Sequence, residues 1–194
     1  MPNAKYVRTG APAPSGLLWF APVGTTLPTD ATTALDPAFK DIGYVTEDGY
    51  TKPATASEPE TTKADGGDDV IVTPATPAAT TFTVDLLEVD NPEVAKLAFG
   101  DANVTLDSNG DIATIHVKNS YSGKDGVFVF ETLGKEDDQG NRRKIREVIG
   151  AGTITKTGDE VVNYTTAVTY PMTITAVADG DGDSYKRFYS PLVH

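Results

Sequence analysis

The sequence predicts a mainly β fold, a two-sheet sandwich or flattened barrel with one short flanking helix, and three observations carry that expectation. Thr81, Thr83 and Asp85 alternate with Phe82, Val84 and Leu86, the period of a strand with one wet face and one dry face. Turn chemistry recurs at short intervals, most clearly in Asp107-Ser108-Asn109-Gly110-Asp111, so successive strands are antiparallel neighbours. Helix chemistry is concentrated in residues 91–100.

Taken in order, residues 1–15 form an N-terminal arm, since Pro2, Pro12 and Pro14 with Lys5 and Arg8 leave little to pack. One β domain then spans residues 16–194. Residues 16–23 are apolar on both sides, as a strand covered by other strands or by a neighbouring subunit would be. Trp19, the single tryptophan, belongs in the core or at a contact. Residues 24–37 are loop, punctuated by Pro28, Asp30 and Pro37. A strand over residues 41–46 ends in Glu47-Asp48-Gly49, read as a tight turn with glycine at a positive φ.

Residues 51–79 are the oddest part of the chain. Pro53, Pro59, Pro74 and Pro77, the pair Glu58 and Glu60, and Asp65-Gly66-Gly67-Asp68-Asp69 surround one apolar burst, Val70-Ile71-Val72. So long an excursion within a compact domain reads as a projecting loop or hairpin, with Gly66-Gly67 at its tip, or as a mobile insertion without a partner. The strand over residues 81–88 follows. Asn91 then supplies an N-cap, Pro92 fits the first helical position, Glu93 lies at the positive end of the helix dipole, and Gly100 stops the helix after Val94, Leu97 and Ala98 have shared a face.

The order of these elements is similar to that of the major tail protein of long-tailed bacteriophages, the subunit of the tail tube. The likeness rests on Ile42-Gly43-Tyr44-Val45-Thr46-Glu47-Asp48-Gly49, on the strand ending at Glu88, and on the Asn91-Pro92-Glu93-Val94 helix ending in Phe99-Gly100. It covers about half of the chain. The resemblance implies a phage tail tube fold, self-association into stacked, hexameric rings, and a channel through which DNA passes without specific binding. It also implies tape-measure and tail terminator proteins as neighbours, a place in the virion tail, and a long loop near residues 51–79 that reaches the next ring.

Beyond the helix, hairpins follow one another. Residues 112–118 form a strand, Val127-Phe128-Val129-Phe130-Glu131 sets aromatics on one face and valines on the other, and residues 134–140 make a charged turn. In the strand over residues 142–149, Arg142, Lys144 and Arg146 share a face opposite Arg143, Ile145 and Glu147. Residues 161–177, rich in threonine and β-branched side chains, read as one long strand in which Pro171 forces a bend, a bulge or an edge position. In the last segment, residues 184–194, Tyr185, Phe188 and Tyr189 mix with Lys186 and Arg187, which suits docking.

Composition narrows the function. The chain has 194 residues, a formal net charge of -12 and no cysteine. Such a charge argues against grip on nucleic acid or an anionic membrane surface, and disulfides, thiolate metal sites and cysteine nucleophiles are excluded. The longest apolar stretch, residues 17–23, falls far short of the roughly 20 residues of a membrane span. With no basic leader or small-residue cleavage site, assembly in the host cytoplasm is expected. His116 and His194 are the only histidines, no serine elbow accompanies them, and no enzyme or cofactor is expected. Asp179, Asp181 and Asp183 space their carboxylates as a calcium loop does, but Ser184 and Ser190 stand where that loop needs glycine and a carboxylate. A turn is the plainer reading.

The residues expected at subunit contacts are Glu58, Glu60, Asp68, Asp69, Val70, Ile71 and Val72 in the arm, Arg142, Lys144 and Arg146, and Phe188 and Tyr189. The basic residues find carboxylates on a neighbouring subunit or on their own sheet. Glu47, Asp48, Asp85 and Glu88, on or beside candidate barrel strands, are expected to face the channel, where a negative wall lets DNA slide. A carbohydrate-binding or adhesin-like β-sandwich, using exposed tryptophan and tyrosine, is the alternative.

Overall fold

The computed structural model describes the backbone of residues 10–52, 60–63, 70–73, 79–136 and 142–191. Its strands are β1 (Ala11–Pro12), β2 (Leu18–Ala21), β3 (Lys40–Asp41), β4 (Val45–Thr51), β5 (Glu60–Lys63), β6 (Val70–Thr73), β7 (Thr80–Leu86), β8 (Val104–Leu106), β9 (Ile112–Ile115), β10 (Lys124–Glu136), β11 (Arg142–Lys156), β12 (Tyr170–Ala176) and β13 (Lys186–Tyr189), and one helix, α1 (Pro92–Phe99), lies between β7 and β8. The fold is mainly β, as expected.

Nine strands join in one sheet, ordered β3-β2-β10-β11-β12-β7-β4, with β1 also on β10 and β13 also on β11. The terminal strands of that path, β3 and β4, are separated only by Ile42, Gly43 and Tyr44. Laid flat, a path of this length would hold its outer strands about 29 Å apart at about 4.8 Å per neighbour. The connection reaches about 14 Å at most. The sheet therefore curls until the linked ends of β3 and β4 lie within that reach, and of the two expected arrangements the flattened barrel is the one present, without described pairing between β3 and β4. Ile42 N–H donates to Leu18 O (3.0 Å) and Leu87 N–H to Tyr44 O (2.9 Å), tying the link to both margins.

The core fills the inside of the curl. Leu18 and Phe20, Phe82, Val84 and Leu86, Phe128 and Phe130, Ile149 and Ile154, and Met172 and Ile174 all point inward, and Val94, Leu97 and Ala98 of α1 join them. The Phe130 ring stacks on Tyr50 from one side (centroids 4.2 Å) and on Phe82 from another (5.5 Å), so β4, β7 and β10 meet through aromatic faces. On the other side of β10 and β11, a second cluster collects Ala21, Phe39, Val127, Val129 and Val148, with Trp19, Leu35 and Phe188 packed against it. Phenylalanines thus face the barrel and valines this outer cluster. That is why the run Val127-Phe128-Val129-Phe130 is apolar on both sides.

Several expectations change in the folded chain. The tight turn at Glu47-Asp48-Gly49 is a bulge inside β4: Val45 pairs with Leu86 and Tyr50 with Val84, so the intervening residues of β4 loop out while Gly49 takes φ 69°. The strand expected over residues 142–149 continues to Lys156, because an extra residue near Gly150 shifts the alternation and keeps Ile149 and Ile154 on one face. The strand expected over residues 161–177 begins only at Tyr170, and residues 161–167 are exposed and outside any strand. In the excursion, β5 and β6 pair with each other, Lys63 opposite Val70 and Glu60 opposite Thr73. Thr51 pairs with Thr83, so this segment leaves the body at the end of the β4–β7 ladder.

The helix follows its sequence signals. The Asn91 side chain accepts from Glu93 N–H (3.0 Å), Pro92 occupies the first turn, and Gly100 N–H donates to Lys96 O (2.9 Å). Asn91→Ala should lower unfolding stability by about 1 kcal/mol, and Phe130→Ala, which empties a stacked aromatic site, by about 3–5 kcal/mol. Both are measured by denaturant titration, and equal costs for the two would contradict this division between cap and core.

Candidate functional site

Two buried carboxylates on opposite faces of the β10–β11 ladder tie surrounding segments to the sheet. Glu131 is directly opposite Arg146, and Glu147 opposite Phe130. Glu131, 1% exposed, accepts from Arg146 Nε (2.7 Å), from Ser15 Oγ (2.8 Å), and pairs with Lys144 Nζ (2.7 Å). The same Arg146 guanidinium donates to Asp30 O (2.7 Å) and Thr33 O (2.9 Å), holding the loop after β2 against the sheet. Glu147, also 1% exposed, takes Tyr50 Oη–H (2.8 Å), Lys52 Nζ and Arg187 Nε. It therefore joins β4, the root of the excursion, and the C-terminal strand β13.

Burial by itself would raise both glutamate pKa values. The hydrogen bonds outweigh it: Lys144, Ser15 and Arg146 hold Glu131 below the usual carboxylate range, and Lys52 and Tyr50, with the charge of Arg187, do so for Glu147. Both carboxylates are thus ionised at neutral pH and fully engaged in structure.

This geometry corrects the expectation for Arg146. Its side chain is 2% exposed and spent inside the subunit, so it leaves the set of subunit contacts. Lys144 likewise pairs within its own sheet. Arg142 is exposed and pairs with Glu136 (3.0 Å). Phe188 is half-buried against the outer cluster, and Tyr189 is exposed with the Arg143 guanidinium 4.6 Å over its ring. Glu60, Val70, Ile71 and Val72 lie on the β5–β6 hairpin, whereas Glu58, Asp68 and Asp69 lie outside the described residues. Trp19 packs against the outer cluster, and its indole N–H is buried without a hydrogen-bond partner among the described residues.

The expected channel carboxylates fall into two groups. Glu47 and Asp48 are exposed on the β4 bulge, and Asp85 points outward from β7 opposite Pro171. Glu88 is engaged: it accepts from Tyr44 N–H (3.0 Å) and Asn91 Nδ2 (3.0 Å). Gly43, at φ 81°, leaves the space the Glu88 carboxylate fills, since a Cβ there would lie 2.2 Å from it. A groove of about 1010 Å³ runs along this seam between β4 and the β1–β10 side, with Asp41, Glu47, Asp48 and Glu88 against Lys52 and Arg142.

Asp179, Asp181 and Asp183 resolve into a turn. Asp179 accepts from the backbone N–H groups of Asp181 (3.0 Å) and Asp183 (2.9 Å), and the Lys186 ammonium faces all three carboxylates at 2.9, 3.5 and 3.6 Å. The chain's own cation stands where a metal ion was considered. Among the described residues no cluster of His, Asp or Glu is arranged to hold a metal ion, and no helix is long and apolar enough to cross a membrane. His116 is exposed just after β9.

The outer face of the barrel strands is a feature that sequence reading did not assemble. Thr153 and Thr155 on β11, Thr173 and Thr175 on β12, Thr81, Thr83 and Asp85 on β7, and Thr51 on β4 stand in register and point away from the core. Thr153 donates to Asp125 (2.6 Å), and Thr157 and Thr173 share a hydrogen bond (2.8 Å). No lysine or arginine stands among these outward positions. The alternation of threonine with apolar residues was visible in each strand, but the shared wall depends on which strands are neighbours.

A curled sheet whose β4 margin carries no second described strand, together with the β5–β6 hairpin, fits a structural building block. The chain belongs to the phage tail tube protein family, whose model, described as "Phage tail tube protein", matches residues 2–191. It is thus a component of the virion tail, in a family whose members assemble into a tube. No curated protein matches the chain.

The two ion clusters set the acid behaviour. Because the folded-state pKa values are depressed, their stabilisation is present above the ordinary glutamate value, about 4.3, and is lost as pH falls through the lower folded values. Glu147→Gln should cost about 3 kcal/mol at pH 7, the low end for a broken buried pair because Lys52 and Arg187 reach water, and should flatten the acid-side fall of thermal stability. Arg146→Ala should cost about 3–5 kcal/mol against about 0–1 for Arg142→Ala. Equal effects for the two arginines would return Arg146 to the surface.

Proposed function

We propose that this protein is the structural, non-enzymatic subunit of a phage tail tube. Six copies close a ring, rings stack through the arm of residues 51–79, and the DNA genome passes through the resulting channel. The family match over nearly the whole chain carries this reading. Supporting it, β4 has β7 on one side and no described strand on the other, the kind of sheet margin that is a liability in a monomer and a joint in an assembly. A ring contact is heterologous, one patch meeting a different patch until rotation closes.

The threonine face over β11, β12, β7 and β4 is the part of the subunit best suited to line the channel. Hydroxyls with Asp85 and Asp125 offer phosphates no cation, so the genome meets a wall without counterion release to hold it. Glu47 and Asp48 stand at the β4 margin of this wall. Tape-measure and terminator proteins would meet the inner surface and end of the tube, and assembly would take place in the host cytoplasm before the tube joins the virion.

Purified protein at high concentration should form rings or tubes by negative-stain microscopy. Removing residues 53–78 and bridging Lys52 to Ala79 should leave a folded subunit that forms rings without stacking, and normal stacking by this deletion would overturn the arm's role. Particles carrying Thr83→Lys with Thr175→Lys should assemble normally and release DNA more slowly at low salt than at high salt. Release at an unaltered rate would remove this face from the channel.

A further inference from the structure

The turn between β8 and β9 sets a reactive pair of residues beside a charge. Asn109 is followed by Gly110, and no other asparagine of the chain precedes a glycine. An asparagine in this setting can lose its amide nitrogen, because glycine has no side chain to keep its backbone nitrogen from the carboxamide carbon. Both residues are exposed, and nothing lies within 4 Å of where a side chain on Gly110 would begin. The Asp107 carboxylate stands next to the reacting groups. Its Oδ1 accepts from Asn109 N–H (2.8 Å) and Asp111 N–H (3.0 Å), and its Oδ2 lies 3.4 Å from Asn109 Nδ2. The Asp107 carbonyl accepts from Gly110 N–H (3.2 Å). Hydrogen bonds from the Asn109 and Asp111 amides hold the Asp107 carboxyl below the usual carboxylate range, so it is charged at neutral pH.

We propose that Asn109 is a latent modification site, a deamidating asparagine that the Asp107 carboxylate keeps unreactive. Attack requires the Gly110 nitrogen to give up the proton it donates to the Asp107 carbonyl. Negative charge then gathers on that nitrogen and next on the Asn109 carboxamide oxygen, and an adjacent carboxylate opposes both. Without that opposition a five-membered imide closes. The bond from Gly110 N to Asn109 Cγ forms, the Cγ–Nδ2 bond breaks, and ammonia leaves with a proton taken from water. Water then opens the ring at either carbonyl, leaving aspartate or isoaspartate at position 109. Isoaspartate carries the backbone through the side-chain carbon and so lengthens a turn that Asp107 N–H and the Asp111 carbonyl close at 2.8 Å. The β8–β9 hairpin is a sheet of two strands packed on α1, and so small a sheet relies on its turn for register. The guard therefore preserves the support of the helix as well as one side chain.

The test incubates the full chain in mildly alkaline buffer beside two variants, Asp107→Ser and Asp107→Asn. The second keeps an acceptor oxygen for the turn and removes only the charge. Peptide mapping by mass spectrometry, with isoaspartate detection, follows conversion at position 109. Both variants should convert about fivefold faster than the unaltered protein, the effect of one unit charge about 4 Å away in water. Added salt should speed the unaltered protein and leave Asp107→Asn unchanged, because an exposed charge is screened. Equal rates for Asp107→Asn and the unaltered protein overturn the guard. If Asp107→Ser alone is faster, turn geometry protects Asn109 and the proposal fails as well. Conversion at position 109 in none of the three overturns the site itself.

Discussion

Three residues, Ile42, Gly43 and Tyr44, separate the two terminal strands of a sheet far too wide for them to span if it were flat. This short link is the constraint on which the other features depend. It forces the curl, and the curl creates an inside for Phe20, Phe82, Phe128 and Phe130 to fill. Glu88 holds the link shut by accepting from Tyr44 N–H while also meeting Asn91 at the start of α1, so closing the barrel and beginning the helix share one carboxylate. The same closure leaves the seam groove beside β4.

The second organising feature is the pair of buried carboxylates on opposite faces of adjacent rungs of the β10–β11 ladder. A buried ion pair adds little net stability over apolar packing, but it is directional. Glu131 and Arg146 fix where the loop after β2 crosses the outer cluster. Glu147 fixes where the excursion leaves the body and where β13 lies, through Lys52 and Arg187. The elements that reach beyond the barrel are therefore referred to the centre of the sheet, and their positions follow from it.

Charge is sorted as well. Described cations are largely spent on carboxylates of the same subunit: Arg146 and Lys144 on Glu131, Lys52 and Arg187 on Glu147, and Lys186 on the aspartates of its turn. What remains outward on the barrel strands is threonine with a few carboxylates. Neutral or acidic surface of this kind offers a polyanion no counter-charge.

Local chemistry determined the helix and most of the strands. Asn91, Pro92 and Gly100 act within a few residues of themselves, and the alternation of Phe82, Val84 and Leu86 with threonines and Asp85 holds whatever the neighbours are. The likeness to the tail tube family was legible in the order of those elements, and the acidic balance in the composition. Only the tertiary structure decided what distant residues do to each other. A bulge made Glu47-Asp48-Gly49 part of a strand, because Tyr50 must reach Phe130 and Glu147. Arg146 looked like its surface neighbours and was buried, because the outer cluster and the loop after β2 cover that face of β11. Residues 161–167 had strand composition, yet no described strand pairs with them and β12 begins only at Tyr170. Propensity acts within a few residues, whereas register, burial and pairing depend on which strand arrives beside which.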